Sequence, residues 1–408
     1  MKNPKSSLKY KYLILVLASI LPRLIPAFKA PPAGDMANSL EVAQTVLAGK
    51  NAYQETRLAP NPPPWLYHQA AALYLSQKTT LPHPFFVKIP IILADSAIAI
   101  LLFLLLGRTN LAFKTALLWA LSPLSIFITA FQGQFDSMPL LMILLALYFF
   151  PRHLSLSAIM LGLGIALKEF PVLLLPFFLF KLKNYPQKMI FIILSLAPVA
   201  LLMAPFLYLS PSGVSANILS YSGAPDQGFM GLVRGFLWLN QGQAFIPLPQ
   251  LLPLISFSKF VYLALLALLT LFSFRHRSLS QSRFFSLTFL LFITVFGGVS
   301  TQYLLWALPF LLLLSFKKAF LYSLFSSLAA LSYYAFFLPQ LFLWILPKKF
   351  TTLAQTYSAS PTFLKVSPQG LDLTGLPQYI FLFYLVCIFL SWAFSLKLVF
   401  SLLKNEKI

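Results

Sequence analysis

Long apolar runs alternate with short polar turns along the whole chain. A helix needs about 20 predominantly apolar residues to cross a bilayer, and runs approaching or exceeding this length recur from residue 12 to residue 403. This pattern predicts an all-α fold, a polytopic transmembrane helical bundle of about twelve spans.

The longest early interruption of the apolar pattern is the polar stretch over residues 29–84. It contains four apolar residues with helical spacing: Met36, Leu40, Ala43 and Leu47. Asp35 stands where a helix N-cap is expected, and Gly49 stands where a C-cap is expected. We therefore predict a short amphipathic helix that lies on the membrane surface and starts with a carboxylate.

Composition supports a membrane protein and argues against nucleic-acid binding. Of the 408 residues, 59% are hydrophobic and only 10% are charged, and the mean hydropathy is +0.81. The net charge of +21 comes from Lys and Arg that gather in short loops between apolar runs, as the positive-inside rule expects. Cys387 is the only cysteine, which excludes a disulfide framework within the chain and a thiolate metal site.

The distribution of basic residues also predicts the topology. Lys2, Lys5, Lys9 and Lys11 precede the first apolar run, so the span over residues 12–28 should enter from the cytoplasm and remain uncleaved. Both termini are then cytoplasmic, and three loops are external: 29–84, 210–245 and 347–376. We expect one transmembrane domain over residues 1–408, in a bacterial plasma membrane, with its site on the extracytoplasmic face.

Residues 154–180 break the regular alternation. Two short apolar stretches flank Lys168 and Glu169, and three lysines follow them. Two short helices that meet near the outer face would keep those lysines inside, whereas a single span would place them outside. The charge rule therefore favours a break at Lys168 and Glu169.

Two acids at the outer ends of spans are the candidate catalytic residues, Asp35 and Asp136. Ionisable residues near a membrane core are costly, so each is a functional hypothesis. Each also has a structural explanation, since Asp35 could simply cap a helix and Asp136 could simply stabilise a turn. Two carboxylates near a cation suit proton abstraction from a hydroxyl. They would also suit a divalent cation, although one Asp in each loop is not a metal-ligand pattern.

Six further polar residues are candidates for substrate binding. Lys168 could bind a phosphate or form a helix-capping ion pair with Glu169, and Arg234 is a second candidate cation. His68 could be a base or an interface residue next to aromatic neighbours. Gln302 and Tyr303 stand at the outer end of a late span, where they also fit an aromatic belt.

Several of these residues fall in segments that resemble the GT-C superfamily of membrane glycosyltransferases, which use polyprenyl-phosphate sugars. The nearest groups are glycosyltransferase family 87 and the glycosylphosphatidylinositol mannosyltransferase I group. The similarity covers roughly residues 10–316 and rests on the order of five segments: 34–53, 62–67, 133–139, 167–176 and 300–306. Unlike the paired acids of many members, Asp35 is flanked by Gly34 and Met36.

The resemblance implies a GT-C bundle and a catalytic acid in the first external loop, which falls on Asp35. It also implies a polyprenyl-phosphate sugar donor, whose phosphate we expect Lys168 to bind. The sugar would be a hexose, most simply mannose. The acceptor would be a lipid or a glycan, and membrane lipids are the other partners. No cofactor is assigned, and a divalent cation stays an alternative. A transporter or lipid flippase and a non-catalytic membrane scaffold are the competing hypotheses.

Overall fold

The computed structural model describes residues 4–32, 34–221, 223–241, 248–276, 279–338, 341 and 376–404. Within these residues the chain is helical and has no strand. The helices are α1 Pro4–Lys29, α2 Asp35–Leu47, α3 Ala52–Glu55, α4 Pro63–Lys78, α5 His83–Leu105, α6 Asn110–Leu121, α7 Pro123–Ile126, α8 Ser137–Phe149, α9 Leu154–Leu167, α10 Leu175–Lys181, α11 Tyr185–Leu209, α12 Pro211–Val214, α13 Gly228–Gln241, α14 Leu248–Arg275, α15 Gln281–Val295, α16 Leu308–Leu312, α17 Phe316–Phe337 and α18 Leu376–Leu403.

The helices confirm the prediction of an all-α membrane protein. Seven of them are long and apolar enough to cross a bilayer: Leu8–Lys29, His83–Leu105, Asn110–Phe131, Tyr185–Leu209, Leu252–Arg275, Phe316–Phe337 and Tyr379–Leu403. The described part of the chain also has five shorter apolar helices: Ser137–Phe149, Leu154–Leu167, Phe170–Lys181, Gln281–Val295 and Thr301–Leu312.

The chain forms two compact units. Unit 1 comprises Met1–Phe28, Gly34–Tyr221 and Ser273–Phe284, and unit 2 comprises Lys29–Ala33, Ser222–Phe272 and Phe285–Ile408. Each unit is described by itself below. The prediction of a single domain over residues 1–408 stays a prediction.

Helix α2 forms where the sequence predicts it, with one correction at its start. The N-cap residue is Gly34 rather than Asp35, which is the first helical residue, and no side chain caps the helix there. The C-terminus closes as expected. Gly49 has a φ of 72°, its N–H donates to the carbonyl of Val46, and the N–H of Lys50 donates to the carbonyl of Thr45. These two bonds are the Schellman motif, in which a left-handed residue satisfies the last carbonyls of a helix.

Two of the four apolar residues predicted to share one face of α2 are not packed inside the protein. Leu40 and Leu47 are 39% and 42% exposed, and the buried residues are Met36, Ser39, Val42 and Ala43. Both sets have helical spacing, so periodicity alone does not separate them. Packing of α2 against α4 selects the set that is buried. That α2 lies on a membrane surface stays a prediction.

Helix α4 was not expected from the sequence, because a proline cluster there predicts a loop. Pro62 is the extended N-cap, and Pro63 and Pro64 occupy the first two helical positions. Proline is well suited to these positions because its missing N–H would have no partner inside the helix. The buried side of α4 includes Trp65, which faces the candidate site.

Two apolar segments are broken, and the second break confirms the prediction made from the sequence at Lys168 and Glu169. The span that starts at Asn110 is interrupted at Ser122 and Pro123, and it ends in a π-helical turn over Phe127–Phe131. Helix α9 ends at Leu167, and Lys168 is extended before a 3-10 turn over Phe170–Leu174 leads into α10. Short helices therefore do meet at Lys168 and Glu169.

In unit 2, α17 packs against α18, and α13 packs against α18. A 3-10 turn over Thr301–Leu305 precedes α16. The second predicted external loop is described except for residues 222 and 242–245, and the third is described only at residue 376.

Candidate active site

The site in unit 1 is built around a five-residue turn over residues 132–136, which we call the acidic turn. It links the π-helical turn to the start of α8. Gly133 has a φ of 77°, which favours glycine, and a Cβ there would overlap the end of the Met36 side chain and lie 3.2 Å from Lys88 Cε. The backbone of the turn can therefore pass close to both α2 and α5.

Asp35 is held by the acidic turn. Gln134 Nε2 donates a hydrogen bond of 2.6 Å to Asp35 Oδ2. Gln134 is buried, whereas Asp35 at the start of α2 is exposed. One side of the carboxylate is thus fixed by the protein while the residue stays accessible from solvent.

Asp136 and Lys168 form a buried ion pair. Lys168 Nζ lies 3.0 Å from both Oδ1 and Oδ2 of Asp136, whose side chain is fully buried. The ammonium also lies 5.0 Å from the centre of the Phe135 ring. Glu169, the neighbour of Lys168, is exposed. The sequence suggested a phosphate or Glu169 as the partner of Lys168. In the structure Lys168 is paired with Asp136, the second candidate acid.

An aromatic stack joins the acidic turn to α4. The rings of Trp65 and Phe135 lie 4.0 Å apart and nearly parallel, and Trp65 also contacts His68 at 5.1 Å between ring centres. His68 Nε2 is 3.1 Å from the carbonyl oxygen of Val87, to which a neutral imidazole can donate. Burial lowers the pKa of His68, which favours that neutral form. This contact suits a residue that ties α4 to α5 better than a general base.

Sequence reasoning missed a buried network around Asp95. Arg23 Nε lies 2.8 Å from Asp95 Oδ2, and both side chains are fully buried. Three hydroxyls also donate to the Asp95 carboxylate: Ser125, Thr129 and Ser137. The evidence in the sequence was an Arg and an Asp inside apolar runs, a combination that is costly unless the two residues are paired.

A second missed residue is Lys88 in α5. Its side chain is fully buried, and its Nζ donates to the carbonyl oxygens of Phe131 at 3.1 Å and Pro26 at 3.5 Å. Among the residues that the structure describes, no carboxylate lies within ion-pair distance of Lys88. The ammonium is instead held by carbonyls near the ends of two helical segments, where the helix dipole favours a cation.

The remaining candidates lie in unit 2. Arg234 pairs with Asp226 at 3.4 Å and lies 6.0 Å from the centre of the Phe337 ring. Gln302 and Tyr303 are both buried, and the Tyr303 ring lies 4.3 Å from that of Trp306. Tyr303 thus belongs to an aromatic cluster with Trp306 and Phe292, whereas Arg234 lies beside a different aromatic residue, Phe337.

Unit 1 thus brings together Asp35, Asp136 and Lys168. Over the described part of the chain, no group of three or more His, Cys, Asp or Glu side chains is placed to hold a metal ion. Both oxygens of Asp136 lie 3.0 Å from Lys168 Nζ, and a carboxylate paired with an ammonium in this way does not suit a divalent cation.

Comparison of the chain with protein-family models and with curated proteins finds no match. Among solved structures, the fold is similar to the crystal structure of ArnT from Cupriavidus metallidurans bound to undecaprenyl phosphate, with a TM-score of 0.48 and 12% sequence identity. The alignment covers 96% of this chain and 77% of that one.

Proposed function

We propose that this chain is a membrane glycosyltransferase of the GT-C type. It transfers a hexose, in our proposal mannose, from a polyprenyl-phosphate donor to a hydroxyl of a lipid-linked or extracytoplasmic acceptor. The observation that carries the proposal is the exposed Asp35 carboxylate, which a buried amide of the acidic turn holds in place. The order of the family-like segments along the sequence supports the same activity.

Asp35 is the proposed general base. It would take the proton of the acceptor hydroxyl as that oxygen attacks the anomeric carbon of the sugar. The bond from the anomeric carbon to the phosphate oxygen breaks, and the polyprenyl phosphate leaves with the electron pair. A single displacement of this kind inverts the anomeric configuration. Because Asp35 does not cap α2, its structural explanation has lost its main support.

Lys168 is the proposed contact for the donor phosphate, with Asp136 as the residue that holds the ammonium in place. The Asp136 side chain is fully buried against Lys168, whereas Asp35 is exposed, so the base is assigned to Asp35. Glu169, Arg234, Gln302 and Tyr303 stay proposed substrate-binding residues. For His68 we propose a supporting role through its contacts with Trp65 and Val87.

The test is transfer of labelled mannose from a polyprenyl-phosphate donor in proteoliposomes that contain the Asp35→Asn variant. Asn can still accept the hydrogen bond from Gln134, but it cannot accept a proton at neutral pH. A positioned base contributes roughly 10² to 10⁴ in rate, and we expect a loss of that size.

The matched control is Glu41→Gln, which removes the same charge from an exposed position of the same helix. Glu41 accepts a hydrogen bond of 2.9 Å from Thr56, which lies outside the acidic turn. We expect near wild-type transfer from this variant. Equal turnover by wild type and a folded Asp35→Asn variant would overturn the assignment of the base.

A lipid flippase is the second candidate, and the buried Arg23–Asp95 pair favours it because ionisable groups within spans often mark a transport path. However, both side chains are fully buried and extensively hydrogen-bonded, which also suits a structural pair. Translocation of a labelled polyprenyl phosphate, measured without acceptor, separates the two. A flippase would move the lipid whether or not Asp35 is replaced.

A further inference from the structure

One buried carboxylate contacts the chain on both sides of the acidic turn. Before the turn, Asp95 accepts hydrogen bonds from Ser125 at 3.2 Å and from Thr129 at 2.7 Å. After the turn, it accepts a bond of 2.6 Å from Ser137, the first residue of α8. Asp95 therefore holds the two ends of the segment that carries Gln134 and Asp136.

The charge of Asp95 is balanced, which makes this arrangement stable inside an apolar bundle. Arg23 donates to Asp95 through Nε, and its other nitrogens donate to Ser125 Oγ and to the carbonyl oxygens of Ser19 and Ala120. The opposite charge of Arg23 and the hydrogen bonds to the carboxylate together offset the cost of burying Asp95.

Lys88 adds a contact from the same helix. It precedes Asp95 by seven residues in α5, a separation that places both side chains on one face of the helix. Its Nζ donates to the carbonyl of Phe131, the residue before the acidic turn, and its side chain lies beside Gly133. One face of α5 therefore holds the acidic turn through two residues. Lys88 contacts the start of the turn, and Asp95 binds the chain on both sides of it.

We infer that Asp95 is a positioning residue for the proposed reaction, acting through the hydroxyls of Ser137 and Thr129. By fixing the ends of the acidic turn, it sets where Gln134 holds Asp35 and where Asp136 holds Lys168. This inference rests on the proposed function for its effect on catalysis, while its effect on the turn is independent of the activity.

The test removes the link to Asp95 one hydroxyl at a time. Ser137→Ala deletes the hydrogen bond to Asp95 after the turn. Thr129→Val deletes the shorter of the two hydrogen bonds to Asp95 before the turn, with almost no change in side-chain shape. Thr129→Ser keeps the hydroxyl and should behave like wild type in transfer. Because a misplacement of about 1 Å can cost about 10²-fold in rate, we expect kcat to fall about 10-fold to 100-fold in the first two variants.

The matched control is Ser157→Ala. Ser157 is also fully buried, and its hydroxyl donates a 2.7 Å bond to the carbonyl of Ala146, away from the acidic turn. A purely structural hydroxyl loses stability without a selective loss of kcat. We therefore expect Ser157→Ala to lower the melting temperature about as much as Ser137→Ala, with kcat near that of wild type.

Hydrogen–deuterium exchange provides a measurement that does not depend on the activity. In Ser137→Ala and Thr129→Val, amides of residues 127–138 should exchange faster than in wild type, whereas in Ser157→Ala they should not. If amide exchange over residues 127–138 were unchanged in both Ser137→Ala and Thr129→Val, the inference would be overturned. If wild type transfers no sugar, the proposed function fails, and exchange alone decides whether Asp95 holds the turn.

A double-mutant cycle connects the turn to Asp35. If Ser137 acts by placing Gln134, its effect on kcat should be smaller in a Gln134→Ala background, because the placed group is already gone. Ser157→Ala should add independently to Gln134→Ala. Additive effects of Ser137→Ala and Gln134→Ala would overturn the placing of Gln134 as the cause of the loss.

Discussion

The ion pair between Asp136 and Lys168 illustrates what a buried charge requires of its surroundings. Neither residue is accessible enough for water to compensate its charge, since the side-chain exposures are 0% and 7%. Desolvation of two ions is costly, and each ion offsets this cost for the other at 3.0 Å. Removal of one partner leaves a charge that the site cannot solvate.

This pairing gives a prediction about Lys168. Lys168→Met should destabilise the protein by about 3 to 5 kcal/mol, the usual cost of leaving a buried charge unpaired. The double variant Lys168→Met with Asp136→Asn carries no charge at the site and should recover much of that loss. Thermal unfolding in detergent measures both effects.

The same variants separate the two roles of Lys168. The charge-neutral double variant should still lose use of the lipid donor if the ammonium contacts phosphate. A double variant with restored stability and an unchanged dependence of rate on donor concentration would mean that Lys168 serves only to balance Asp136.

At the scale of single helices, the sequence predicted local features better than packing faces. The ends of α2, the break at Pro123 and the break after Leu167 follow from glycine, proline and charged residues at the positions themselves. The exposure of Leu40 and Leu47 does not follow from them, because the buried face depends on α4, which lies outside the local pattern. Helix α4 itself was missed because prolines start helices as well as interrupt them.

The C-terminus of α2 allows a clean test of backbone conformation. Gly49 has a φ of 72°, and a Cβ there would meet no atom within 4 Å. Gly49→Ala should therefore cost about 1 to 2 kcal/mol through the left-handed backbone alone, with no steric clash. Gly49→Asn should cost less, since Asn tolerates this conformation.

The measurement is thermal unfolding, with Ala48→Gly as the neighbouring control because Ala48 has a φ of −74°. If Gly49→Ala and Gly49→Asn were equally stable as wild type, the Schellman ending of α2 would be wrong. Neither variant touches Asp35 at the other end of the helix, so transfer by the folded protein should be unchanged.

For the whole molecule, the sequence predicted the apolar segments but not which polar residues on different segments pair with each other. Arg23 and Asp95 are separated by 72 positions, and Gln134 and Asp35 by 99. Local periodicity carries no information on which distant residues meet. The motif around residues 133–139 contains most of the acidic turn, whereas Lys88 and Asp95 lie inside one long apolar run.

The membrane topology is the prediction that belongs to this scale. The positive-inside rule places residues 29–84 outside the cytoplasm and the basic stretch around Ser280 inside. Gln77 and Ser280 are both exposed, so a cysteine at either position should be accessible to a reagent on its own side of the membrane. The native Cys387 is buried and should give little background.

The experiment labels intact cells with a membrane-impermeant thiol reagent. Gln77→Cys should react in intact cells, whereas Ser280→Cys should react only after the membrane is permeabilised. The side matters for the proposed function, because Asp35 belongs to the same inter-span segment as Gln77 and the proposed acceptor is extracytoplasmic. If both cysteines reacted in intact cells, the orientation derived from the basic residues would be wrong. If only Ser280→Cys reacted there, the chain would be inverted and Asp35 would face a cytoplasmic acceptor.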